Sequence, residues 1–282
     1  MSENLRVKSS QYIDETTRVS FKFNGTTYYG FKGDTLASAL LANNVHLVGR
    51  SFKYHRPRGI MTSGSEEPNA IVQINPNTNR TEPNVRATEV EIYEGMEASS
   101  QNCWPSVNFD IGGINNFLSP FFPAGFYYKT FMWPASFWEK YEYFIRHSAG
   151  LGKSPTLKDP DIYDHRNIHC DVLVVGAGIS GILAAKNAAK NNYKTLLLDE
   201  KNELGGSTIY ENNESNKIDN KISSEWLKKE IEELKNIKNL EIKTRTSVAA
   251  YHQYNYLLAR ENLTDHLEKK IRQIKLDKDY LK

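Results

Sequence analysis

A short apolar run, Val172 to Val175, passes without a break into Gly176, Gly178 and Gly181, the pattern G-x-G-x-x-G. No other stretch of the chain restricts its fold so tightly. Four branched or apolar residues suit a parallel strand buried on both faces, and the glycines fall where that strand must turn into a helix. Each glycine has its own task. Gly176 makes the tight turn, Gly178 lets the backbone approach an anion, and Gly181 lets the helix pack close to the sheet. The helix that follows aims unpaired N–H groups and its positive dipole end at a pyrophosphate, so the anion site needs no lysine. The plainer alternative is a glycine-rich turn in a parallel sheet with no ligand.

Thr195 to Leu198 read as the second strand, and Asp199 lies 18 positions beyond Gly181. A carboxylate there accepts hydrogen bonds from both hydroxyls of an adenosine ribose and repels a 2′-phosphate, which favours NAD or FAD over NADP. Glu200 is the fallback for the same role. The next glycines are Gly205 and Gly206. The candidate cofactor-binding residues are therefore Gly176, Ala177, Gly178, Ile179, Ser180, Gly181, Asp199, Glu200, Gly205 and Gly206. Since NAD and FAD both present adenosine diphosphate to such a turn, the fingerprint does not choose between them.

At 282 residues the chain has room for two domains, with 39% apolar and 11% aromatic residues available for cores. Its 36 basic and 34 acidic residues leave a formal charge of +2, a balance that argues against a nucleic-acid or anionic-lipid binder. No apolar run approaches the roughly 20 residues that cross a bilayer, and the N-terminus has no hydrophobic signal core. A cytoplasmic location is the default expectation. The two cysteines, Cys103 and Cys170, are expected as free thiols and are too few for an iron–sulfur cluster or a cysteine-rich zinc site.

The fold class expected is α/β, an N-terminal ferredoxin-like (β-grasp) domain followed by an incomplete Rossmann-like FAD/NAD(P)-binding domain. After an N-terminal extension, 1–17, residues 18–94 read as the small β-rich domain. They hold an alternating strand, a turn at Asn24-Gly25, a second strand through Tyr28 and Phe31, and then a helix. Asp34 or Thr35 caps that helix, and Leu36, Ala39 and Leu40 lie on its buried face. Further strands are expected at Ala70 to Ile74 and Glu89 to Tyr93. Residues 95–167 are rich in Pro, Gly and large aromatics, with a helix expected over Pro134 to Ser148 and Phe137, Trp138, Tyr141, Phe144 and Ile145 on its apolar side. Those rings must be buried. They either mortar two domains together or face another subunit or a flavin.

Residues 168–282 form the nucleotide-binding part. A charged helix is expected at Ser224 to Lys238, with Trp226, Ile231 and Leu234 buried and its charges solvated. Strands follow at Glu241 to Thr244, Val248 to Tyr254 and Tyr256 to Arg260. A doubly wound sheet flanks its first strand on both sides, and no second half is present, so Val172 to Val175 would lie at an exposed edge. The expectation is the N-terminal part of a longer protein, or dependence on a partner.

The stretches GDTLASALLANN, VGRSFKYHRPRGI, EEPNA, EPNVRAT, SQNCWPS, PAGFYYKTFMWP, FWEKYE, IRHSAGLG and CDVLVVGAG together resemble the N-terminal part of the alpha subunit of heterotetrameric sarcosine oxidase. The likeness runs from about residue 18 to Gly206 and weakens beyond. It implies a ferredoxin-like domain without a cluster, a dinucleotide domain that holds NAD, and a C-terminal folate-handling domain that this chain does not reach. It also implies a beta subunit that oxidises the small-molecule amine substrate on its own flavin, and an FMN between alpha and beta. Related flavin-dependent amine, proline or opine dehydrogenase subunits, with FAD in the fingerprint site, are the alternative. A truncated scaffold that binds no nucleotide is the non-enzymatic one.

The loop between Ala42 and Glu67, where cluster-bearing relatives carry thiolates, has none. It offers Arg50, Lys53, His55, Arg56 and Arg58 instead, interleaved with Phe52 and Tyr54. These read as salt bridges to Glu66, Glu67 or a neighbouring domain, or as a phosphate site near a subunit seam, ahead of any nucleic-acid patch. His46 and His55 have no spaced ligand partners and read as structural or surface residues, so no metal is expected. No nucleophile elbow, zinc helix or C-x-x-C appears, and no catalytic residue is named. Redox chemistry would belong to bound cofactors.

Overall fold

The computed structural model describes residues 5–6, 13–121, 125, 133–148, 150–161, 163–209, 217–264 and 266–267. The chain divides into two units, Met1–Ile162 with His266–Lys282, and Tyr163–Asp265.

The first unit begins with a hairpin. Strand β1 (Asp14–Phe23) and β2 (Thr26–Lys32) pair antiparallel, with Phe21 opposite Tyr28 and Phe23 opposite Thr26. Asn24 and Gly25 both take positive φ, 51° and 79°, the conformation that a two-residue turn matched to strand twist demands. Alternation then buries Val19, Phe21 and Phe23 on one face. Helix α1 (Leu36–Ala42) follows. Thr35 is its N-cap, the hydroxyl oxygen accepting from the Ser38 N–H at 3.1 Å. Asp34 is buried beside it, accepting from the Phe31 N–H and from Arg6.

Short β3 (Gly49–Arg50) and β4 (Pro57–Arg58) pair with one another. With β5 (Ile71–Ile74), β6 (Glu82–Arg86) and β7 (Met96–Ser100), the main sheet runs in the order β2-β1-β7-β5-β6, β1 and β7 being parallel and the other pairs antiparallel. Phe21, Leu36, Leu40, Val48, Val72 and Met96 form its core. The strand expected at Glu89–Tyr93 reduces to one isolated antiparallel bridge, Glu91 with Thr35. Its apolar residues do pack inward, Ile92 at 5% exposure, but its backbone serves the entrance to α1. The Leu36 N–H donates to Val90 O, and the Ile92 N–H to Asp34 O. Pairing resumes only after Gly95, at φ 77°, has turned the chain into β7.

The aromatic stretch contributes α2 (Ile114–Phe117) and α3 (Trp138–Ser148), the latter entered through a 3₁₀ turn at Ala135–Phe137. Within the chain many of its rings are left uncovered. Trp104, Phe109, Phe117, Phe121, Trp133 and Phe144 are each at least 68% exposed. Most of PAGFYYKTFMWP lies outside the described residues.

The second unit is a parallel sheet. Its strands β8 (Val172–Val175), β9 (Thr195–Leu198) and β12 (Leu240–Lys243) run in the order β12-β9-β8. Helix α4 (Ile179–Lys190) joins β8 to β9. A hairpin of β10 (Lys217–Ile218) and β11 (Lys221–Ile222) leads into α5 (Ser223–Lys235). A second hairpin, β13 (Thr246–His252) with β14 (Tyr256–Glu261), follows β12. Among the described residues β8 pairs only with β9, and Val175 is 55% exposed at that edge. Ile182, Ala185, Leu197, Leu204, Trp226, Leu227 and Leu234 form the core.

One charge of α5 departs from the solvated face expected. Glu230 is buried, and Lys186 of α4 bridges it at 2.5 Å and Glu233 at 2.7 Å. Burial opposes the Lys186 charge, but the two carboxylates outweigh it and raise its pKa. The pair ties the two helices together across their packing face.

Candidate functional site

The end of β8 meets the start of α4 in a turn held from below by β9. The Gly176 N–H donates to Leu198 O at 2.7 Å, with Gly176 at φ 94°, a conformation costly for any residue with a Cβ. Gly181 explains the close approach of helix to turn, because a Cβ there would collide with the Gly176 carbonyl oxygen. Gly178 is the N-cap of α4 and offers it no side-chain cap, and the first intrahelical bond runs from the Ile182 N–H to Gly178 O. The N–H groups of Ile179, Ser180 and Gly181 therefore precede the helical ladder. A Cβ on Gly178 would meet no atom within 4 Å.

Gly205 and Gly206 return to this turn from the other side. The Gly205 N–H donates to Ala177 O at 2.8 Å, and a Cβ on Gly206 would stand 3.0 Å from the Gly178 Cα. Gly206 takes φ 58°. The two glycine pairs thus lie backbone to backbone, leaving a side-chain-free surface beside a helix N-terminus.

Asp199 is buried at the end of β9, where one of its oxygens accepts from the Ala177 N–H at 2.5 Å and the other from the Lys201 N–H at 2.8 Å. Its carbonyl accepts from the Thr246 N–H, and its own N–H donates to Lys243 O. This carboxylate braces the turn between β8 and α4, a role that spacing alone did not reveal. Thr246 was missed altogether, since nothing in its local sequence marks a residue that reaches β9 through its main chain. Glu200 is exposed and adjacent. The residues suit the adenosine-diphosphate half of a dinucleotide: an uncapped helix N-terminus, an open position at Gly178 and an acid at the end of the second strand.

The basic run of the first unit is largely absorbed by the fold. Arg50 donates to Val107 O through both Nε and Nη2, at 2.8 and 2.6 Å. His55 has a carboxylate partner after all, its Nδ1 lying 2.7 Å from Asp110 Oδ2, with the Asp110 side chain only 1% exposed. The long sequence separation concealed this pair. Arg56 donates to Asn116 and lies over the Tyr54 ring. Neither Glu66 nor Glu67 forms an ion pair with the run among the described residues.

Both cysteines are free thiols. Burial raises the pKa of Cys103, with nearby Asp110 adding to the rise and Arg50 opposing it, and burial likewise raises Cys170. Among the described residues no group of three or more His, Cys, Asp or Glu is placed to hold a metal ion, and no helix is long and apolar enough to cross a membrane.

Comparison with known proteins places both units. Residues 16–103 match the family model of the 2Fe-2S iron-sulfur cluster binding domain, and residues 171–276 that of the FAD dependent oxidoreductases. The first of these raises a chemical conflict. Such a cluster takes four thiolates, or two with two histidines, and residues 16–103 contain one cysteine, Cys103. The residues do not fit the cluster.

The sarcosine oxidase alpha subunit of Rhizobium meliloti (strain 1021) is 48% identical over 93% of this chain, which covers 26% of that protein. The corresponding subunit of Corynebacterium sp. (strain U-96) is 30% identical over 95% of this chain and 23% of its own length. An L-proline dehydrogenase structure from P. horikoshii shares the fold at a TM-score of 0.51, with 16% identity over 89% of this chain and 39% of its own. The chain spans about a quarter of the length of the curated relatives it matches, 26% and 23%. It is a homologue of the sarcosine oxidase alpha subunit, carrying an iron–sulfur-type β-grasp unit followed by a unit of the FAD dependent oxidoreductase type.

Proposed function

We propose that this chain is the dinucleotide-holding part of an alpha subunit in a flavoenzyme complex that oxidatively demethylates sarcosine or a similar secondary amine. The observation that carries the reading is the side-chain-free surface formed by Gly178 and Gly206 beside the uncapped N-terminus of α4. There the N–H groups of Ile179 to Gly181 would hold the pyrophosphate, and Asp199, with Glu200 next to it, would face the ribose hydroxyls. NAD is the first reading and FAD the alternative. A bound dinucleotide supplies hydride-accepting chemistry, and the chain's own part is to hold and orient it.

The amine itself would be oxidised on a flavin of a beta subunit, with an FMN shared between the two. This makes the reaction one on the CH–NH group of the donor, and the chain by itself inactive. Support comes from the likeness to sarcosine oxidase alpha subunits and from the exposed rings of Trp104, Phe109, Phe117 and Phe121, a surface suited to a partner. The match to FAD dependent oxidoreductases favours a second reading, an amine or proline dehydrogenase subunit with FAD in this site.

The test is to co-express the chain with a candidate beta subunit and identify, by mass spectrometry and absorbance, the small molecules released on denaturation. NAD from this chain with flavin from the partner supports the first reading. FAD from this chain supports the second, and a soluble complex free of any adenine dinucleotide refutes both.

A further inference from the structure

A unit that matches a cluster-binding domain over residues 16–103 but lacks the thiolates must have its loops organised by something else. Between β4 and β5 the chain makes a 3₁₀ turn, Gly64–Glu66, which Glu67 closes. Glu67 is 1% exposed. Its Oε2 accepts from the N–H groups of Met61 and Thr62, both at 2.7 Å, and its Oε1 from those of Asn69 at 2.7 Å and Ala70 at 3.1 Å. Four main-chain donors from both sides of the turn thus converge on one carboxylate. Among the described residues no Lys, Arg or His forms an ion pair with it, so its charge is balanced by amide dipoles.

The surroundings fix the loop from outside. The Thr88 hydroxyl donates to Gly64 O at 2.6 Å, and the Ala87 N–H to Ala70 O at 2.8 Å. Burial works against the Glu67 charge, yet the four N–H donors outweigh it and its pKa is lowered. The residue is therefore a buried anion that the backbone was folded to receive.

Iron–sulfur clusters are anionic, and hydrogen bonds to their sulfurs are part of how proteins hold and tune them. A loop whose N–H groups point inward at a common centre has the same requirement whether that centre is a metal cluster or a side chain. We propose that Glu67 is an internal anion that takes the place of a cluster in the 61–70 loop, satisfying the inward N–H groups and holding the loop rigid without metal. Removing the side chain then creates an anion site for a small carboxylate such as formate. This inference concerns the first unit and stands apart from the dinucleotide reading.

The test uses the full 282-residue chain. In Glu67→Ala, amide exchange across 61–70 accelerates on the order of 100-fold, as loss of charge-assisted bonds to a buried acceptor requires. Sodium formate, compared with sodium chloride at equal ionic strength, restores protection and raises the melting temperature of this variant while leaving the natural chain unmoved. Glu67→Gln also loses protection, because its NH₂ group faces donors. Unchanged exchange in Glu67→Gln, or no response of Glu67→Ala to formate, overturns the proposal. If Glu67→Ala does not fold from expression, its refolding yield decides: higher in formate than in chloride supports the proposal, equal yields overturn it. Appearance of a 2Fe–2S absorption spectrum when the natural chain is incubated anaerobically with ferrous iron and sulfide also overturns it.

Discussion

The loop around Glu67 and the turn from Gly176 to Gly181 gather main-chain N–H groups by the same physics and differ in what those groups meet. In the first, four donors are consumed by a carboxylate of the chain itself. In the second, Asp199 takes only the Ala177 N–H, and the donors at the start of α4 have no side-chain cap. A filled nest is internal structure, and an unfilled one beside open space is suited to an anionic ligand. Convergent N–H groups mark an anion; the presence or absence of a resident carboxylate tells whether that anion is built in or recruited.

The largest effect is expected at Glu67. Glu67→Ala should cost about 3–5 kcal/mol in urea denaturation, because several buried donors lose their acceptor at once. A loss under about 1 kcal/mol would mean that the loop is held by its other contacts. The matching change in the open nest, Gly178→Ala, should leave the stability of the ligand-free chain within about 0.5 kcal/mol, since its Cβ meets nothing and its φ of −69° suits alanine. It should instead weaken adenine-dinucleotide binding on the order of 100-fold, about 2.7 kcal/mol, read by calorimetric titration. Equal affinity in the variant would remove Gly178 from the site.

Asp199 shares features of both nests, and Asp199→Asn sharpens the distinction. Its amide NH₂ must face either the Ala177 or the Lys201 N–H, so the ligand-free chain should lose about 1–2 kcal/mol in addition to any loss of dinucleotide affinity. Lost affinity with unchanged stability would assign Asp199 to ribose recognition alone. The smallest effect is in pH. Because the folded pKa of Glu67 is lowered from 4.5, its contribution is complete above that value and is lost as pH falls through the lower folded value. The stability gap between the natural chain and Glu67→Gln should therefore be flat at neutral pH and close in acid. A gap that widens in acid would contradict the direction of the shift.

Where the sequence was legible, the information was local. The glycines, the apolar strand before them and the acid after the second strand lie within one βαβ segment, and their spacing carries the geometry. The Asn24-Gly25 turn and the Thr35 cap were readable for the same reason. Glu67 was not, because its four partners are backbone groups whose convergence exists only after folding. Glu230 left a signal that was passed over: Ser223, Trp226, Leu227, Glu230 and Leu234 form one helical stripe, and its place on that stripe marks it as buried. The strand expected at Glu89–Tyr93 shrinks to the single Glu91–Thr35 bridge because apolar alternation reports packing and not the extent of pairing. For the rings of Trp104, Phe109 and Phe117, exposed in the chain by itself, composition left a domain seam and a subunit face equally open, because it states how much apolar surface exists but not what covers it.

The two thiols have a practical consequence. Burial raises the pKa of both Cys103 and Cys170, which disfavours their thiolates, and alkylating dyes react through the thiolate. A cysteine introduced at an exposed position such as Ser207, beside Gly206, would outcompete both for a maleimide fluorophore. The unmodified chain is thus already a quiet background for a single-site optical reporter of what enters the turn.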